Sequence, residues 1–89
     1  MNSSSGKGNN PERWEKLLEV LDEKLQLGLL KPLQRVNSYH FENEVLFIEP
    51  GSDEDFAYLS KPAFFQQLEI LAKDALKIEK VKLKNEKTQ

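Results

Sequence analysis

Four consecutive apolar residues, Val45-Leu46-Phe47-Ile48, constrain the fold more than any other feature of this chain. The run is of strand length and ends at Pro50-Gly51-Ser52, which breaks it. Because strand side chains alternate between faces, such a run predicts a strand covered on both sides, or covered on one side and lying at the core's edge on the other. Upstream, Val36 to Phe41 carries the β-favouring residues Val, Tyr and Phe, and Glu42-Asn43-Glu44 is a polar tip. The two segments read as a β-hairpin, although Asn43 is not followed by the Gly that marks the strongest hairpin turns.

The flanking segments have helical periodicity. Asn10 is a good N-cap, Pro11 suits a first helical position and Glu12 complements the helix dipole. Trp14, Leu17, Leu18, Leu21 and Leu25 then recur at helical spacing, and Gly28 or Pro32 is expected to end the helix. After the hairpin, Ser52 or Asp53 can cap a short helix whose first turn holds Asp53, Glu54 and Asp55. Ser60 is expected to cap a longer one, with Pro62 near its start and Phe64, Leu68, Leu71, Ala72, Ala75 and Leu76 along its stripe. Ile78 to Lys84 alternates, with Glu79, Val81 and Leu83 on one face and Ile78, Lys80, Lys82 and Lys84 on the other. That is a half-buried strand.

The expected architecture is therefore α+β, in the order α-β-β-α-α-β, with a three-stranded sheet and three helices packed on one face. The expected core is Trp14, Leu17, Leu21, Val45, Phe47, Leu68, Leu71, Val81 and Leu83. Residues 11–84 form the domain. Residues 1–10, rich in Ser, Gly and Asn, read as a flexible arm (a linker or an expression remnant), and residues 85–89 as a disordered tail. Eighty-nine residues allow one such domain.

This order is similar to that of the K-homology fold with its extra helix at the N-terminus, which grips nucleic acid through a Gly-x-x-Gly turn between two helices. The glycines matter because backbone N–H groups must approach phosphates closely. Here the junction reads Ser60-Lys61-Pro62-Ala63, without glycine, and Pro62 removes an N–H. The clamp is absent.

Catalysis and cofactors find no support, so the fragment is not expected to be an enzyme. His40 is the single histidine and lacks a partner set, cysteine is absent, and Asp53-Glu54-Asp55 is contiguous rather than alternating as calcium loops require. No phosphate-cradling loop, dinucleotide fingerprint or zinc spacing occurs, and no cofactor or metal is expected. No apolar run reaches the roughly 20 residues of a membrane span, and a cytoplasmic location and a monomeric domain are expected. Net charge is −2, which argues against a dedicated polyanion binder. Lys80, Lys82 and Lys84 nevertheless share one strand face and could contact phosphates, although interleaved aromatics are missing from that segment. The ordinary reading is a solvated edge that discourages aggregation. Tyr58, Lys61, Phe64 and Phe65 flank the helix break. Adjacent phenylalanines cannot both be buried equally by one helix face, so this corner is the candidate protein-binding patch, rimmed by the nearby acids. The alternative is a small core that wraps all of these aromatics.

Residues 12–84 resemble the C-terminal domain of bacterial DNA polymerase III gamma/tau subunits, the clamp-loader proteins. The stretches that carry the likeness are "ERWEKLLEVL", "FENEVLFIEP", "FAYLSKPAFFQQLEILAKDAL" and "IEKVKLK". They are patterns of apolar residues more than strict motifs. The N-terminal domains of the bacterial replication initiator and of a helicase-loading factor share the architecture, but the initiator's second tryptophan is missing from "GLLKPLQRV". The resemblance implies a non-catalytic adaptor that tethers replication proteins, the polymerase catalytic subunit foremost, with any ATPase activity in another part of the parent protein.

Overall fold

The computed structural model describes residues 8–84. The proposed tail 85–89 and the first seven residues of the expected arm lie outside them. The chain runs α1 (Pro11–Glu23), α2 (Leu27–Gln34), β1 (Ser38–Glu42), β2 (Val45–Glu49), α3 (Asp53–Leu59), α4 (Pro62–Leu76) and β3 (Lys80–Leu83). It is an α+β fold with four helices where three were expected. The three strands form one mixed sheet, with β2 central, antiparallel to β1 and parallel to β3.

The extra helix arises because α1 stops earlier than Gly28 or Pro32. Leu25 takes a left-handed φ of 59°, its N–H donates to Asp22 O at 3.1 Å, and the Gln26 N–H donates to Leu21 O at 2.8 Å. This pair of bonds is a Schellman closure, which usually places Gly at the left-handed position. Leu25, expected on the buried stripe, is instead 78% exposed. Gly28 and Pro32 lie inside α2. The start of α1 is capped as expected, with Asn10 Oδ1 accepting from the Arg13 N–H at 3.1 Å.

The hairpin turn is the two-residue loop Asn43-Glu44, with φ values of 53° and 63°. Positive φ at both residues is the type I′ geometry whose twist matches that of the strands. It pairs Glu42 with Val45, Phe41 with Leu46, His40 with Phe47 and Tyr39 with Ile48. Tyr39, Phe41, Leu46, Ile48 and Val81 consequently point into the core with Trp14, Leu17, Leu21, Leu68 and Leu71. Val45 and Phe47, expected in the core, lie half-buried on the opposite face, and Leu83 is also only half-buried. Ile78, assigned to the solvated face, is buried just before β3 begins.

Trp14 holds the first helix to the sheet. Its ring stacks on Tyr39 at 4.4 Å with an interplanar angle of 5°, and Tyr39 meets Phe41 edge-on at 5.8 Å. Burial pushes the Tyr39 phenol up, opposed by the Asn10 backbone and aided to a lesser extent by Glu15. Its hydroxyl nonetheless makes no hydrogen bond among the described residues. The end of the arm also packs. Asn9 donates to Phe41 O and accepts from Phe41 N, both at 2.9 Å, so its amide stands in for a neighbouring strand along β1. A Cβ on Gly8 would sit 2.3 Å from Tyr39 O, so only glycine allows this approach.

A second junction joins α2 to α3. Arg35 grips the buried Asp55 with two hydrogen bonds, at 2.7 Å and 3.1 Å. The bond to Asp55 raises the Arg35 pKa further, against a smaller effect of burial. Gly51 passes so close to the Arg35 carbonyl that a Cβ there would lie 2.3 Å away.

Two stability predictions follow from this packing. Trp14→Ala should cost about 3–5 kcal/mol, enough to unfold much of a domain this small, and a melt unchanged by it would contradict the assigned core. Leu25→Gly and Glu44→Gly relieve left-handed backbone at exposed side chains. Each removes a penalty of about 1–2 kcal/mol, partly offset by the greater unfolded-state freedom of glycine. Thermal melts should therefore rise by a few degrees for each substitution.

Candidate functional site

The helix junction expected to dock a partner is built from the end of α3 and the start of α4. Ser52 caps α3, accepting from the Asp55 N–H at 3.1 Å. At the other end, Ser60 is the C-cap of α3 and its Oγ donates to Ala57 O, so it does not cap α4 as the sequence suggested. Lys61 holds the N-cap position in extended conformation, with no side-chain cap, and Pro62 starts α4 at its first position. Asp55, expected as part of an acidic rim, is turned inward to Arg35.

The four named corner residues do not form one patch. Tyr58 and Phe64 stack at 4.5 Å with an interplanar angle of 26°, beside Gly28 and Leu29 of α2. Phe65, the next residue along α4, faces the other way. With Phe56, Ser60, Val81, Lys82 and Leu83 it lines an open groove of about 380 Å³ between the helix junction and β3. Lys61 is exposed between the two sides. All three corner aromatics are half-buried and packed against the core, so the expected single patch of Tyr58 with one phenylalanine resolves into two shallow apolar surfaces.

The lysine strand is arranged as the alternation predicted. Val81 points inward, while Lys80, Lys82 and Lys84 are exposed. The register supplies what the segment itself lacks. Phe47 lies between His40 and Lys82, and Val45 lies between Glu42 and Lys80. The His40 ring stacks on Phe47 at 4.7 Å with an interplanar angle of 18°, and its Nε2 is 3.3 Å from Glu42 Oε1. The open face of the sheet is thus an aromatic pair flanked on one side by lysines. His40 and Phe47 were not assigned to a site from sequence, yet a signal existed. In a two-residue hairpin, residues equidistant from the loop pair, which places Phe47 on the polar face of β1.

Both sheet edges carry a side chain that takes up strand groups. Asn9 does so at β1, and Glu69 Oε2 accepts from the Val81 N–H at 3.3 Å at β3. Among the described residues no group of three or more His, Asp or Glu side chains is placed to hold a metal ion, and no helix is long and apolar enough to cross a membrane. No family model, no curated protein and no solved structure matches the chain.

Proposed function

We propose that this chain is a non-catalytic protein-docking domain with a K-homology-like plan, in which the phosphate-gripping turn is replaced by an apolar groove. The observation that carries the reading is the groove between the α3–α4 junction and β3. Phe56, Phe65, Val81 and Leu83 give it an apolar floor, and Lys82 stands at its rim. Half-buried aromatics in a cleft bordered by charge are the composition of a surface with a few dominant contacts. Pro62 stiffens the junction, which lowers the ordering cost of binding. The occupant is a segment that inserts one or two large apolar side chains and carries acidic flanks toward Lys82 and Lys61.

The resemblance to gamma/tau C-terminal domains supports a replication protein as that occupant, with the polymerase catalytic subunit first. The isolated domain is read as a cytoplasmic monomer on the same basis. The initiator and helicase-loader readings share the docking role and differ in the partner.

Calorimetric titration with a purified bacterial polymerase III catalytic subunit tests this reading. Saturable binding is expected, weakened about tenfold or more by Phe65→Ala and by Ser60→Trp, which fills the groove from an exposed position. The melting temperature of the Ser60→Trp variant should stay close to that of the parent chain. Absence of binding, or binding indifferent to both substitutions, would sink the proposal.

A further inference from the structure

We propose that the open face of the sheet binds single-stranded nucleic acid, with a base stacked on the His40–Phe47 pair and phosphates carried along β3. This surface lies on the side of the sheet opposite the core and is independent of the protein-docking reading. Three observations carry it.

The first is the platform. Phe47 is a large apolar side chain on a solvent-facing strand surface, and the His40 ring lies nearly parallel to it at 4.7 Å. Rings stacked at this distance cover each other's inner faces, so a base extends the stack on an outer ring face, whatever the base, because every base has a π-face. A core role does not explain Phe47, since the sheet's buried face is filled by Leu46 and Ile48.

The second is charge placed beside the platform. Lys82 is the register partner of Phe47, and Lys80 is that of Val45. Lys84 continues the row, with its N–H donating to Ile48 O at 2.7 Å. Alternate residues on a strand are about 6.6 Å apart, close to the phosphate repeat of an extended single strand. Three lysines in line therefore offer a track for successive phosphates.

The third is polarity across the face. Glu42 lies on β1 beside His40, across β2 from the lysines, whereas Glu49 ends β2 next to the Lys84 end of the row and is hydrogen-bonded by Ser38 at 3.1 Å. A backbone laid over β1 would meet Glu42, whereas one laid over β3 meets Lys80 and Lys82, with Glu49 near the Lys84 end. The arrangement fixes where the strand runs and turns its bases toward Phe47. A duplex keeps its bases stacked internally and cannot use the platform.

Fluorescence anisotropy with labelled dT15 and U15 oligonucleotides, at salt from 50 to 200 mM, tests the proposal. Three phosphate contacts predict a logarithmic salt slope of about −2 for a single strand. The triple variant Lys80→Gln/Lys82→Gln/Lys84→Gln should flatten that slope toward zero. Phe47→Ala should weaken binding about tenfold or more, and Phe47→Leu, which keeps the apolar bulk without the ring, should weaken it nearly as much. Comparison of the two oligonucleotides tells DNA from RNA, and either one binding in this manner supports the site. Phe65→Ala should leave the anisotropy unchanged, which separates this surface from the groove. No binding at 50 mM salt, equal binding of a matched duplex, or affinity unmoved by Phe47→Leu would overturn the assignment.

Discussion

The register of β2 is the constraint on which the rest of the structure depends. Leu46 and Ile48 are completely buried between β1 and β3, while Val45 and Phe47 point the other way. A slip of one residue would exchange the two pairs and turn every side chain of the strand to the opposite face. The apolar content of the strand does little to resist this, because Val-Phe and Leu-Ile are similar loads. The Asn43-Glu44 loop and the alternation of β1 resist it. Tyr39 and Phe41 must face Trp14, so His40 and Glu42 face out, and the two-residue loop carries that choice into β2.

Most of the fold was legible because its elements announce themselves locally. The Asn10 and Ser52 caps, the stripe of α4 and the alternation of β3 need only nearest neighbours along the chain. What the sequence hid were features decided by backbone geometry without the residue type that normally signals it. Leu25 closes α1 where glycine is customary, so the break before α2 left no mark. Asn43-Glu44 forms a tight turn without glycine in the same way. The Arg35–Asp55 grip joins residues 20 apart, and Asp55 reads in the sequence as one of three dipole-complementing acids. The choice between Val45 with Phe47 and Leu46 with Ile48 as core was recoverable from hairpin pairing, but not from hydrophobicity alone.

The candidate sites show the same division. Tyr58, Phe64 and Phe65 lie at the α3–α4 junction, where the helix break puts them, but adjacency in sequence does not make them neighbours on the surface. Successive helix positions are about 100° apart, so Phe64 closes toward α2 while Phe65 opens toward β3. On the sheet the reverse holds. Phe47 and Lys82 are far apart in the chain and side by side in the fold. The lysine segment holds no aromatic of its own, and its neighbouring ring comes from β2, a strand more than 30 residues earlier in the chain.

A small sheet with one uncovered face risks association through its edges as well as through that face. Here the edges are managed by side chains. The Asn9 amide takes both backbone groups of Phe41, and Glu69 takes the Val81 N–H. The other face, by contrast, keeps a half-buried phenylalanine that no helix covers among the described residues. β3 is the element common to both proposed surfaces. Val81 and Leu83 line the groove on the helix side, Lys80 and Lys84 stand on the open side, and Lys82 belongs to both. Occupants of the groove and of the open face therefore meet at one cation. An acidic flank paired with Lys82 would take a charge from the proposed phosphate track, which would couple the two proposed surfaces through a single side chain rather than through any movement of the fold.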